Sequence, residues 1–171
     1  MAKDPNSVDL LTDIILGIFR LNGQLMAQGD LLVQPLGLTS ARWQVLGAIA
    51  IAGSPQTAPQ IAHAMGVTRQ GTQKQLKLML SEGLIEPRPN PRHERSPLHA
   101  LTRKGRLGYD AAMQLQRQWA RALAKGLTQA ELACAQDILL ALEQRLETSM
   151  LARGRTRTPP PAHIPKEPSH A

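Results

Sequence analysis

Residues 57–83 read TAPQIAHAMGVTRQGTQKQLKLMLSEG, and their local grammar decides the fold. Thr57-Ala58-Pro59-Gln60 has the pattern of a capping box, in which a Thr hydroxyl and a Gln side chain satisfy each other's free amides and Pro is tolerated in the first turn. A short helix reaching Met65 follows, Gly66 supplies a turn by taking a positive φ, and Thr68 is placed to cap a second helix that Gly83 stops. Ala62 is small where the two helices must approach closely. Ile61, Met65 and Val67 are expected to point inward, as are Leu76, Met79 and Leu80 of the second helix. Short helix, glycine turn and second helix at this spacing make a helix-turn-helix. The second helix then presents Thr68, Arg69, Gln70, Thr72, Gln73, Lys74 and Lys77 as candidate DNA-binding residues. Amide side chains suit adenine edges, Arg69 suits guanine or phosphate, and the two lysines suit phosphates. A charged helical hairpin of no special role is the alternative reading of the same residues.

Towards the N-terminus, Val8, Leu11, Ile15, Ile18, Asn22 and Leu25 recur in steps of three and four, predicting an amphipathic helix from about residue 7 to the low thirties, ended by Pro35 and Gly37. Thr39 can cap a helix holding Trp43, Val45, Leu46 and Ile49, closed by Gly53. Towards the C-terminus, Leu84-Ile85 and Leu98 to Leu101 are short strands about a loop, residues 87–97, that carries Pro87, Pro89, Pro91 and Pro97 and several arginines. Together they predict a hairpin wing. Thr102 opens a helix to Lys125 with Leu107, Ala111, Leu115, Trp119 and Ala122 on one side. Thr128 to Glu131 is a second capping box, opening a last helix with Ile138, Leu139, Leu142, Leu146 and Met150 as its stripe. The residues 153–171 are Pro-rich and basic and are expected to be a disordered tail.

The chain has 171 residues and a formal net charge of +7, and that charge is unevenly placed. Residues 69–106 hold nine bases against three acids, residues 1–68 and 107–152 are each slightly acidic, and the tail is again basic. A basic segment between near-neutral arms points to a polyanion partner. With 42% hydrophobic and 19% charged residues, the composition excludes a wholly disordered chain. No run approaches the roughly 18 uninterrupted apolar residues of a spanning helix, and MAKDPNSVDL lacks the plan of a secretory signal, so a cytoplasmic protein without a membrane partner is expected. A single cysteine, Cys134, makes no intramolecular disulfide, and one thiol with five scattered histidines offers no metal-ligand spacing. No Gly-rich phosphate loop, paired carboxylates or nucleophile motif is present, so the reading is of a non-enzymatic protein with no cofactor, no metal and no catalytic residues.

The run LGLTSARWQVLGAIA, followed by APQIAHAMGVTRQGTQKQLKLMLSEGLIEPRPNPRHERSPLHALTRKG, resembles the MarR family of winged helix-turn-helix transcriptional regulators. The resemblance spans about residues 8 to 152 in element order and 36 to 106 in motif detail. It implies a mainly α fold: a winged helix-turn-helix DNA-binding lobe with a two-stranded β wing (residues 35–106), and dimerisation helices at the N-terminus (1–34) and C-terminus (107–152). It implies double-stranded DNA and a second copy of the chain as partners, with the homodimer repressing genes from a pseudo-palindromic operator and being released by a small aromatic or phenolic effector. Thr68 to Glu82 becomes the recognition helix. Arg95 takes the family's wing arginine position, with Arg92 as a second wing candidate. His93 stands where an acid usually braces the wing, and Gly71 and Thr72 replace the more frequent Ser and Val.

Trp43 and Trp119 are candidates to line an effector cleft, with core packing as the plainer reading of each. Cys134 is read as a buried structural residue, with a thiol sensor of the same fold as the alternative. A winged-helix protein-interaction module without sequence preference is the reading from another class. His63, His93 and His99 are expected at solvent, DNA or capping contacts rather than at a metal.

Overall fold

A computed structural model describes residues 6–155. Helix α1 (Ser7–Val33) begins where the Asn6 side chain accepts from Val8 N and Asp9 N, and ends in a 3-10 turn, Gln34–Leu36, closed by Gly37 at φ 67°. Helix α2 (Ser40–Ala52) is capped by Thr39 and stopped by Gly53. A two-residue strand β1 (Gln56–Thr57) leads into α3 (Ala58–Ala64), and the predicted capping box closes with Thr57 N donating to Gln60 Oε1 at 2.8 Å. Gly66 turns at φ 63°, and α4 (Arg69–Ser81) begins under Thr68, whose hydroxyl accepts from Gly71 N. Strands β2 (Ile85–Arg88) and β3 (Leu98–Leu101) and helix α5 (Arg103–Leu123) follow.

The sheet has three strands in the order β1-β3-β2, all antiparallel. β3 is central, so its His99 faces Pro87 on one side and Gln56 on the other. The wing pair was legible as a hairpin, whereas β1 was not: two residues beside a Pro carry no period. The core joins Val33, Leu38, Val45, Leu46, Ile49, Ile61, Leu76, Met79, Leu84, Ile85 and Ala112, so helices α1, α2, α3, α4 and α5 all contribute to one apolar centre.

Two close approaches fix the scaffold. Gly105, in the first turn of α5, lies against the backbone carbonyl of Leu84, leaving no room for a Cβ. Thr102 holds the same junction, accepting from Gly105 N at 3.0 Å and donating to the Gly83 carbonyl at 2.7 Å. Where α1 meets α2, the Asp30 carboxylate accepts from Ser40 N at 2.6 Å, and the buried Ser40 hydroxyl donates to the Met26 carbonyl. Gly29 is packed against that hydroxyl.

The chain divides into two compact units between Leu123 and Ala124. The second contains α6 (Gln129–Arg155), opened by the expected capping box: Thr128 N donates to Glu131 Oε2 at 2.8 Å, and Glu131 N to Thr128 Oγ1 at 3.2 Å. The Thr128 backbone N–H and hydroxyl, both donating to the Glu131 carboxylate, hold its pKa below the ordinary value. The expected tail overlaps this helix at residues 153–155, and the rest of it lies outside the described residues.

Several side-chain expectations change. Val67 is exposed rather than inward, because the turn presents its outer face there, and Leu107 of the predicted α5 stripe is exposed as well. Cys134, expected buried, is exposed on α6. Much of the apolar surface of α1 and α6 is exposed as well, including Phe19, Leu31, Ile138 and Leu146. Over Ser7–Leu36 the mean hydropathy of an 18-residue window reaches 1.2, so this helix is long and apolar enough to cross a membrane by length and composition.

Candidate nucleic-acid interface

Helix α4 lays its two faces out by ordinary helical spacing. Thr72, Leu76 and Met79 are buried, and Arg69, Gln70, Gln73, Lys74 and Lys77 are exposed together on the other side, with Thr68 exposed at the cap. Thr72 is therefore corrected as a base-contacting candidate: its side chain is fully buried and its hydroxyl donates to the Thr68 carbonyl at 3.1 Å. A β-branched residue four positions after the cap falls on the inward stripe with Leu76 and Met79, which its polarity alone did not reveal. The first turn of α4 has no acid, so its free amides and the positive end of the helix dipole face outward beside Arg69 and Gln70.

The C-terminal end of α4 is tied to the scaffold. The Glu82 carboxylate pairs with Arg42 of α2 at 2.8 Å, and Lys104 Nζ donates to the Glu82 carbonyl at 2.8 Å. Lys104 contributed to the basic segment by count, yet here it works as an anchor. Glu86 likewise pairs with Arg88 on β2.

The wing loop, residues 89–97, is organised by Asn90. Its amide nitrogen donates to the Ser96 carbonyl at 2.7 Å and its amide oxygen accepts from Arg92 N at 3.2 Å. Backbone bonds from His93 N to the Asn90 carbonyl and from Ser96 N to the His93 carbonyl complete two linked turns. One carboxamide, acting as donor and acceptor, thus spans the loop and does the bracing that the resemblance assigned to an acid at position 93. His93 is exposed, as are Arg92 and Arg95. Among the described residues the ion pairs engage Arg42 and Arg88, leaving Arg69, Lys74, Lys77, Arg92 and Arg95 as exposed charge. At the base of the wing His99 is buried, with Nδ1 3.3 Å from the Gln56 carbonyl. Burial lowers its pKa from the ordinary 6.5, and the hydrogen bond to Gln56 opposes that shift. It is neither a solvent nor a DNA contact.

A second feature lies behind the recognition helix. An open cleft of about 900 Å³ is bounded by Asn22, Leu25 and Met26 of α1, Ser40, Trp43, Gln44, Gly47, Ala48, Ile51 and Ala52 of α2, and Tyr109, Met113 and Trp119 of α5. Its floor includes Ala64, Met65, Gly66 and Val67, the turn between α3 and α4. Trp43 and Trp119 both line it, together with Tyr109, Met26 and Met113, which periodicity placed on no particular face.

Three comparisons agree with this architecture. The model of the MarR family matches residues 36–96. The protein Rv2011c of Mycobacterium tuberculosis is 39% identical over 98 residues, covering 57% of this chain and 67% of that protein. The crystal structure of the MarR family transcription regulator SP03579 superposes with a TM-score of 0.70 at 25% identity, over 85% of this chain and 95% of that one. A mutant MarR from E. coli complexed with operator DNA superposes with a TM-score of 0.69 at 24% identity, over 81% of this chain and 99% of that one. A helix-turn-helix with an outward basic helix and an arginine-bearing wing defines a winged-helix DNA-binding protein. The chain belongs to the MarR family and is a DNA-binding transcriptional regulator.

Proposed function

We propose that this regulator is a homodimeric, ligand-responsive repressor. In this reading α4 enters the major groove of each half of a pseudo-palindromic operator, with half-sites about 34–36 Å apart. Gln70 and Gln73 meet base edges, Arg69 a guanine or a phosphate, and Thr68, Lys74 and Lys77 the backbone. Arg92 and Arg95 approach the adjacent minor groove. The observation that carries the reading is the exposure of these side chains on two ordered elements, α4 tied to α2 through Glu82 and Arg42, and a wing loop braced internally by Asn90. Residues 1–34 and 107–152 serve dimerisation, which gives the exposed apolar faces of α1 and α6 an occupant. The protein then acts by binding alone and works in the cytoplasm, where its DNA is.

The cleft supports the ligand response. Its size suits a small molecule, and its walls join α1 and α5 to the turn immediately before the recognition helix. A ligand seated there touches both the arms that set the spacing of two subunits and the segment that aims α4. If it binds better to a dimer whose recognition helices are wrongly spaced for DNA, differential affinity performs the switch. The test is selection of bound duplexes from random DNA by the full-length chain. An enriched inverted repeat bound by two copies is expected; no enriched motif would instead favour a protein-interaction role for the winged helix.

A further inference from the structure

Lys104 stands inside the basic segment and is exposed, yet its ammonium is engaged within the protein. Its Nζ donates to the carbonyl of Glu82, the residue that ends α4, at 2.8 Å. The other two groups of Glu82 are held as well. Its N–H donates to the Leu78 carbonyl of its own helix at 3.0 Å, and its carboxylate pairs with Arg42 of α2 at 2.8 Å. The next two carbonyls are taken by the residue that opens α5: Thr102 Oγ1 donates to Gly83 O at 2.7 Å, and Thr102 N to Leu84 O at 3.1 Å. Three successive carbonyls at the end of α4, the negative end of its dipole, are thus gathered by the segment Thr102 to Lys104.

Apolar packing by itself leaves a helix some freedom of direction. Leu76 and Met79 seat α4 on the core through contacts that are non-directional. The bonds at Glu82 are directional and reach two different helices, so they fix the line along which α4 leaves the core. With 13 residues, α4 is about 20 Å long. A tilt of about 5° at its C-terminal end moves the N-terminal turn, which carries Arg69 and Gln70, by about 2 Å. That exceeds the latitude of a hydrogen bond to a base edge. Attraction to phosphates, which falls off slowly with distance, tolerates the same shift.

Resting on the reading of α4 as the recognition helix, we propose that Lys104 and Arg42 are positioning residues for sequence readout, which touch no DNA and act through Glu82 to aim α4 at the base edges. The test is binding of the full-length chain to a selected and a scrambled duplex across salt concentrations, well below the melting temperature. Lys104→Met keeps the aliphatic stem and removes the donor. It is expected to lose about 10-fold on the selected duplex, the cost of one misaligned base contact, with scrambled-duplex affinity and salt slope unchanged. Lys77→Met, the comparison, should weaken both duplexes and lower the slope by about 1. Arg42→Glu is expected to lose selected-site affinity, and Arg42→Glu with Glu82→Arg, which restores the pair and the net charge, to regain it. If Lys104→Met weakens both duplexes equally and lowers the slope, Lys104 is a phosphate contact and the proposal is overturned. Wild-type affinity for the selected duplex in Lys104→Met, or a charge swap no better than Arg42→Glu alone, overturns it too. Should Lys77→Met and Gln73→Ala also leave both affinities unchanged, the recognition-helix reading fails and takes the proposal with it.

Discussion

Arg95 on the wing and Gln73 on α4 are both exposed polar side chains, yet the physics of their proposed contacts differs. A wing arginine attracts phosphate or the minor-groove potential of many sequences, so Arg95→Ala is expected to weaken binding to all duplexes and to reduce the salt slope by about 1. Gln73 projects from the recognition helix, and Gln73→Ala should cost about 1–3 kcal/mol on the preferred site while leaving nonspecific binding nearly unchanged. Titrating labelled selected and scrambled duplexes across salt concentrations separates the two; variants that match wild type on both would remove these residues from the interface. Asn90 makes the finer case. Asn90→Asp keeps the acceptor for Arg92 N but sets a carboxylate oxygen against the Ser96 carbonyl, and Asn90→Ala loses both bonds. Both variants should weaken DNA binding as Arg95→Ala does, with little change in melting temperature, because the loop they loosen is exposed and outside the core. A large drop in melting temperature would make Asn90 a structural residue rather than one that positions the wing.

At the scale of elements, the helices and their stops were legible because each boundary is a local chemical event: Thr39, Thr57, Thr68 and Thr128 cap in the structure as their neighbours in sequence predict. What escaped is what depends on distant partners. β1 exists only because β3 lies beside it, and Thr72 is buried only because α4 packs on the core. Asp30 and Ser40 latch α1 to α2 through a contact ten residues apart that no period encodes. The β3 strand shows how such packing creates a measurable property. His99 is held below its ordinary pKa of 6.5, so as pH falls the unfolded chain takes up the proton before the folded one does. Its contribution to stability is therefore complete above about pH 6.5 and is lost as the pH drops from there through the folded value. Wild-type melting temperature should fall on acidification through this range, and His99→Gln should flatten that part of the profile; an unchanged profile would mean that other groups set it. At the junction of α4, β2 and α5, Gly105→Ala forces a methyl against the Leu84 carbonyl. A loss of about 1–3 kcal/mol is expected in urea unfolding, since backbone rather than a flexible side chain must yield.

For the whole molecule, the question is what the two long terminal helices are for. A single chain leaves Val8, Phe19 and Leu31 of α1 more than 60% exposed and Leu146 of α6 at 66%. In the proposed dimer, this apolar surface is what a second copy covers. α6 has no buried residue among those described, so its helical state needs more than propensity to persist. The hydrophobicity that lets α1 satisfy a membrane-span criterion is, in the proposed dimer, the material of a subunit contact. This has a consequence for DNA. Two half-sites bound by linked subunits gain from effective concentration, so breaking the dimer should cost far more affinity for an inverted repeat than for one half-site. Phe19→Asp together with Ile15→Asp puts charge on the exposed face of α1 without touching its buried residues, Gly29 and Val33. The double variant is expected to shift to monomer in light scattering, to lose the concentration dependence of its melting temperature, and to bind a full site no better than a half-site. If it remains dimeric at micromolar concentration and keeps its full-site preference, this face of α1 is not the subunit interface, and its apolar surface must answer to a different partner.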